Sequence, residues 1–113
     1  MKIINLTKNT VLSENATIAD TPLSRTKGLL GRKGLLPQEA LVLKPCNSIH
    51  TLFMQFPIDV LFVDREFKVV AAIPALKPYR LSKIYFSASF AIEFSTGIIA
   101  SSRTSFGDTL CFE

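Results

Sequence analysis

The sixteen residues from Ile58 to Ile73, IDVLFVDREFKVVAAI, constrain the fold more than any other stretch. Two runs rich in β-branched and aromatic residues flank Asp64-Arg65-Glu66, a polar break too short for anything but a turn, so the segment reads as a β-hairpin. Elsewhere the same signature recurs in shorter pieces. Lys2 to Thr7, a strand starting at Val11-Leu12, Ala16 to Asp20, Ala40 to Lys44, Lys83 to Ala88, Phe90 to Phe94 and Thr109 to Phe112 are apolar runs bounded by turn formers. Pro74 to Arg80 reads as a proline-punctuated connector.

Helix signals are few. Asp20 and Thr21 are N-cap residues ahead of Pro22, whose missing amide hydrogen costs nothing at a first helical position, so a helix is expected from Pro22 to about Leu30, closed by Gly31. Gly28 then falls inside it at a cost of about 1 kcal/mol relative to alanine, which points to close backbone packing there. A second helical turn is expected over Gly97 to Arg103. The fold class is therefore mainly β (α+β): a small antiparallel β-barrel or strongly curled sheet of about seven short strands with one or two short helices.

Length and composition agree with that reading. At 113 residues the chain suits one domain, 1–113, and 48% hydrophobic against 19% charged residues is enough to fill a core. No run approaches the ~18 apolar residues of a membrane span and the N-terminus lacks a signal-peptide core, so the expectation is a cytoplasmic protein with no membrane partner. Cys46 and Cys111, far apart and outside any CxxC spacing, are expected as reduced thiols rather than a disulfide. No paired ligand spacing supports a metal, and no motif calls for a cofactor.

The net charge of +4 is unevenly spread. Arg25 to Gln38 and Phe67 to Ile92 each hold four basic residues and no acid. Solvated basic faces are the ordinary explanation, with phosphate or acidic ligands as the alternative.

The chemistry-bearing residues gather between Pro45 and Asp64, PCNSIHTLFMQFPIDVLFVD. Here lie the single histidine, one of two cysteines, and Asp59 alone among apolar residues. If residues 46 to 51 are extended, Cys46, Ser48 and His50 share one face. Asp59 shares a strand face with Leu61 and Val63, and a buried carboxylate needs a partner: His50, Arg25, Arg32 or a set of backbone amides.

Three function classes follow. The first is a small binding module in which Arg25, Arg32, Ser48, His50, Thr51, Met54 and Asp59 hold a small polar or anionic ligand. The second is a hydrolase with Ser48 or Cys46 as nucleophile, His50 as base and Asp59 orienting it, although no Gly-x-Ser-x-Gly turn is present. The third is a nucleic-acid module using the basic runs 25–33 and 77–83, for which no RNA-binding motif speaks. The binding module is the reading adopted.

The run SRTKGLLGRKGL, followed by CNSIHTLFMQFPIDVLFVD and then LKPYR, resembles the prokaryotic family known as domain of unknown function 192, from about Ala19 to Phe112. The resemblance implies a single-domain, mainly β protein whose most distinctive segment is the SIHT-to-ID run. It implies no reaction, substrate or cofactor. Another branch of that family carries an FWMKNT-like segment in place of the SIHT run, so a mechanism resting on His50 does not extend to the whole family.

Overall fold

The computed structural model describes all residues from Met1 to Glu113. Eight strands and two helices follow one another as β1 (Ile3–Asn5), β2 (Thr10–Ser13), β3 (Asn15–Ala19), α1 (Pro22–Lys27), β4 (Glu39–Leu43), β5 (Ile58–Val63), β6 (Val69–Leu76), β7 (Phe90–Phe94), α2 (Ile98–Ser102) and β8 (Leu110–Phe112). The expected hairpin is β5–β6, antiparallel, with Val60 opposite Ile73 and Leu61 opposite Ala72. It forms one side of a five-stranded sheet ordered β3-β4-β7-β5-β6, and a second sheet runs β2-β1-β8. The protein is mainly β with two short helices in strongly curled sheets, and no barrel closes.

One pairing departs from the antiparallel expectation: β3 and β4 are parallel, Ala16 opposite Ala40. Parallel neighbours need a crossover, and α1 with the loop after it carries the chain back across the sheet. That geometry sets α1 over one sheet face.

β5 is buried at all six residues, so both faces of the five-stranded sheet are covered. On one face Leu61, Val63, Ile92, Phe94 and Val42 pack with Ile3, Leu12 and Leu110 of the small sheet and Ile99 of α2. On the other, Ile58, Val60, Phe62, Ala91 and Leu43 pack under Leu29, Ile49 and Met54. Each fully buried side chain of this size contributes about 1.5–3 kcal/mol. The second face is covered by irregular chain, and there the candidate site lies.

Three local expectations need correction. The first helix stops at Lys27, with Gly28 as its C-cap at φ 45° donating its amide to the Ser24 carbonyl at 2.9 Å. The glycine is required by that positive φ; an added Cβ meets only the Arg25 carbonyl, at an ordinary 3.5 Å. Second, Pro74-Ala75-Leu76 ends β6 rather than forming a connector. β6 is an edge strand, where a proline forfeits no ladder bond, and Ala75 bulges out at φ 50°. Third, Lys83 to Ala88 is not a strand. With the preceding Ser82 it touches the 47–51 segment through single rungs, the Tyr85 amide to the Asn47 carbonyl at 2.8 Å and the Ser82 amide to the Ile49 carbonyl at 2.9 Å, while Tyr85 packs on Phe62 with ring centroids 4.5 Å apart.

Candidate functional site

α1 is anchored by a reciprocal cap. The Thr21 hydroxyl accepts from the Ser24 amide and the Ser24 hydroxyl from the Thr21 amide, both at 3.1 Å, which satisfies amides that the first turn leaves free. With Pro22 at the first position the helix holds without a buried residue of its own. Past its end Leu29 drops into the core at 4% exposure. Arg25 is thereby held over the sheet, its guanidinium donating from Nη1 to the Pro45 carbonyl at 3.2 Å.

Between α1, residues 45–54 and the sheet lies a cavity of about 270 Å³. Arg25 and Leu29 form one wall; Cys46, Ser48 and His50 form the other; Glu93 lies at the sheet floor. The three side chains expected on one face of the 46–51 segment thus do line one space. Rungs to residues 80–85 keep that segment extended, including a bridge between His50 and Leu81.

The electrostatics of the cavity are unusual in two places. Arg25 Nε is buried with no hydrogen-bond partner. Glu93 is only 4% exposed, and burial alone pushes its carboxyl pKa up to about 7. On β7 the alternation Phe90, Ile92, Phe94 fills one core, which turns Ala91 and Glu93 to the opposite face. Glu93 sits between Leu41 of β4 and Val60 of β5, apolar neighbours on both sides. Burial also raises the Cys46 thiol; nearby Glu93 raises it further and Arg25 opposes them, so the sulfur stays a neutral thiol at pH 7. Its Sγ contacts the Ser48 carbonyl at 3.0 Å. His50 is exposed at the rim, its Nδ1 accepting from the Leu52 amide at 3.3 Å. Met54 is buried in the lining.

Three of the residues expected at the site lie elsewhere. Asp59, 1% exposed, turns to the opposite sheet face with Leu61 and Val63, and backbone amides are its partners. Ala75 donates to one carboxylate oxygen at 2.8 Å, Gly97 and Ile99 to the other at 3.1 and 2.9 Å. The carboxylate therefore caps α2, whose own N-cap Gly97 has no side chain to do so, and pins the β6 bulge. Thr51 is fully buried as a strap: its hydroxyl donates to the Lys77 carbonyl at 2.6 Å and accepts from the Arg80 amide at 2.9 Å. It holds the 77–80 loop, whose Tyr79 packs edge-on against Phe53 with centroids 5.7 Å apart. Arg32 points away from the cavity to the Glu39 carboxylate at 2.9 Å and borders a separate groove behind α1.

Glu93 carries a sequence signal of its own. A carboxylate inside FAIEF is as anomalous as Asp59 inside IDVLFV, and strand alternation alone places it opposite the three core residues. No three His, Cys, Asp or Glu side chains gather closely enough to hold a metal ion. Cys46 and Cys111 are free, Cys46 packed against the helix-covered sheet face and Cys111 in β8 of the small sheet. No helix is long and apolar enough to cross a membrane.

Comparison with known proteins brings in the chain's relatives. The family model DUF192, described as "Uncharacterized ACR", matches residues 3–112. A UPF0127 protein of Pyrococcus horikoshii is 36% identical over 114 aligned positions, covering 96% of each chain. Its counterpart in Pyrococcus furiosus is 32% identical, covering 96% of this chain and 95% of its own. Among solved structures, a protein of unknown function from Novosphingobium aromaticivorans superposes with a TM-score of 0.86 at 19% identity, over 99% of this chain and 84% of that one; at that identity the likeness concerns the fold. The match over nearly the whole chain, together with these full-length relatives, shows that the protein belongs to the DUF192 family.

Proposed function

We propose that the protein is a small binding module whose ligand occupies the cavity between α1 and residues 45–54, with the Arg25 guanidinium as its anion anchor. The observation that carries this reading is the buried Arg25 Nε without a partner. Most buried side-chain polar atoms are paired, so an unpaired one marks Arg25 as a cation that the fold leaves incompletely satisfied on the cavity wall. Ser48 and His50 at the rim supply further polar contacts, and Leu29, Ile49 and Met54 the apolar wall, the usual make-up of a small-molecule pocket. The ligand is small, polar and anionic. The same proposal places the protein in the cytoplasm, with which two free thiols agree.

The other two classes draw less from the geometry. For hydrolysis, Asp59 lies in the opposite core, and no hydrogen bond joins His50 to Ser48 or to the neutral Cys46 thiol. For nucleic acid, the 25–33 run is divided: Arg25 turns into the cavity and Arg32 is tied to Glu39.

The test is a thermal-shift titration of wild type and Arg25→Gln with acetate, glycolate and inorganic phosphate. A stabilisation in wild type that weakens about tenfold or more in the variant supports the anchor, since hydrogen bonds to a charged group are worth about 1.5–3 kcal/mol. Equal shifts in both proteins would refute it.

A further inference from the structure

We infer that the cavity has two poles, and that Arg25 on its helix wall and Glu93 on its sheet floor grip opposite ends of one amphoteric ligand, a short molecule with a carboxylate at one end and a protonated amine at the other. This rests on the reading of Arg25 as an anion anchor and adds the second pole.

Glu93 has the burial of a core residue, 4% exposed, yet no donor in the protein answers its carboxyl, and burial pushes its pKa up. Asp59 on the adjacent strand shows what the same fold does with a structural carboxylate: three backbone amides surround it. Nothing comparable is built around Glu93. Its strand neighbours are Leu41 of β4 and Val60 of β5, and the titratable groups that line the cavity with it are Arg25, Lys27, Cys46 and His50.

Arg25 and Glu93 do not neutralise each other. The two ion pairs of the molecule are Lys8–Asp108 and Arg32–Glu39, both outside this cavity. Both groups nevertheless line the same cavity, with Cys46 beside them. A guanidinium and a carboxyl with no donor, lining one cavity without pairing, are complementary to a ligand carrying the reverse polarity at each end. A simple anion satisfies Arg25 but brings like charge toward Glu93; an amine alone does the converse. Only a molecule with both ends satisfies both poles. The cavity of about 270 Å³ has room for several waters at ~30 Å³ each, which suits a ligand of fewer than about ten non-hydrogen atoms. The ω-amino acids from glycine to 6-aminohexanoate span this size, and the length that binds reports the distance between the poles.

The experiment is a chemical-shift titration of the isotope-labelled full chain with that series, each member paired with the unsubstituted acid and amine of the same length. At least one amino acid is expected to bind about tenfold more tightly than its matched acid and matched amine, with shifts at Gly28, Cys46 and His50. Glu93→Gln, of nearly equal volume, is expected to weaken that amino acid about tenfold while leaving the matched acid unchanged or tighter; Arg25→Gln weakens both. In wild type alone, affinity for the amino acid rises between about pH 6 and about pH 8 as Glu93 gives up its proton, and the dependence is lost in Glu93→Gln. Matched acids that bind as well as the amino acids, or an amino acid indifferent to Glu93→Gln, would overturn the second pole and leave the anion anchor standing. No binding by any acid or amino acid would overturn both.

Discussion

Glu93→Gln also makes a stability prediction that needs no ligand. In the folded protein the carboxyl keeps its proton to about pH 7 against an ordinary value of 4.5. Between those two values the folded state binds more protons than the unfolded one, so stability falls as pH rises through the window and stays lowered above it. At ~1.4 kcal/mol per pH unit the full effect is about 3 kcal/mol, a large part of the 5–15 kcal/mol that holds a domain together. Glutamine has nearly the same shape and no ionisation, so it removes the pH-dependent part and leaves the packing. The two proteins are expected to be equally stable below about pH 4.5 and to diverge until the variant leads by about 3 kcal/mol above about pH 7. Urea denaturation at a series of pH values measures this, with near-ultraviolet circular dichroism from Tyr85, packed against Phe62, as a probe of the helix-covered face. With a urea slope of about 1–3 kcal/mol/M, the midpoints separate by at least about 1 M at alkaline pH. A difference that stays flat from acid to alkaline pH would refute the reasoning, because it would mean that water or a cation solvates Glu93 in the folded chain. A wild type that gains on the variant as pH rises would refute it more sharply, by showing that Arg25 already pairs with the carboxylate.

Two further substitutions separate scaffold from site. Asp59→Ala strips the partner from the amides of Ala75, Gly97 and Ile99; at about 1–3 kcal/mol for each unpaired buried donor the loss is expected to reach at least about 3 kcal/mol, with faster hydrogen exchange at those amides, and a loss below about 1 kcal/mol would contradict the capping role. Arg32→Ala breaks an ion pair whose side chains are 43% and 28% exposed, so stability is expected to change by less than about 1 kcal/mol and ligand titrations not at all; weaker binding in this variant would return Arg32 to the site.

Strand positions were the most legible part of the fold, because period-two alternation and turn formers act locally. Ile58–Val63 and Phe90–Phe94 have the bounds their residues suggest. What local rules missed depends on tertiary neighbours. Pro74 belongs to a strand because β6 lies at a sheet edge, and no property of PALKPYR announces that. Lys83 to Ala88 has strand-forming residues but faces only the irregular 47–51 segment, so its bonds stay isolated rungs. The helix ends three residues short of Leu30 because Gly28, interior by spacing, takes a positive φ and is the stop. At the site, Arg25, Ser48, His50 and Met54 meet around one cavity, whereas Arg32, Thr51 and Asp59 are each consumed by a structural partner. Residue type and spacing name candidates; which way each side chain turns is decided by the sheet beneath it.

The two anomalous carboxylates show how that decision is made. Asp59 and Glu93 lie on neighbouring strands, one register step apart, with Asp59 opposite Phe94 and Glu93 opposite Val60. Alternation sends them to opposite faces, and the faces differ in what lies above them. Over Asp59 the chain brings a helix start and a strand bulge, places where backbone amides are free by geometry, and the carboxylate turns those into a closed set of hydrogen bonds. Over Glu93 it brings a side-chain-capped helix, an arginine with an unanswered Nε, and a cavity. A fold that supplies three donors to one buried carboxylate has the means to satisfy the other. That it leaves the second without a donor, on the lining of a cavity whose arginine it does not pair with, is the reason to assign Asp59 to the architecture and to propose a ligand at Glu93.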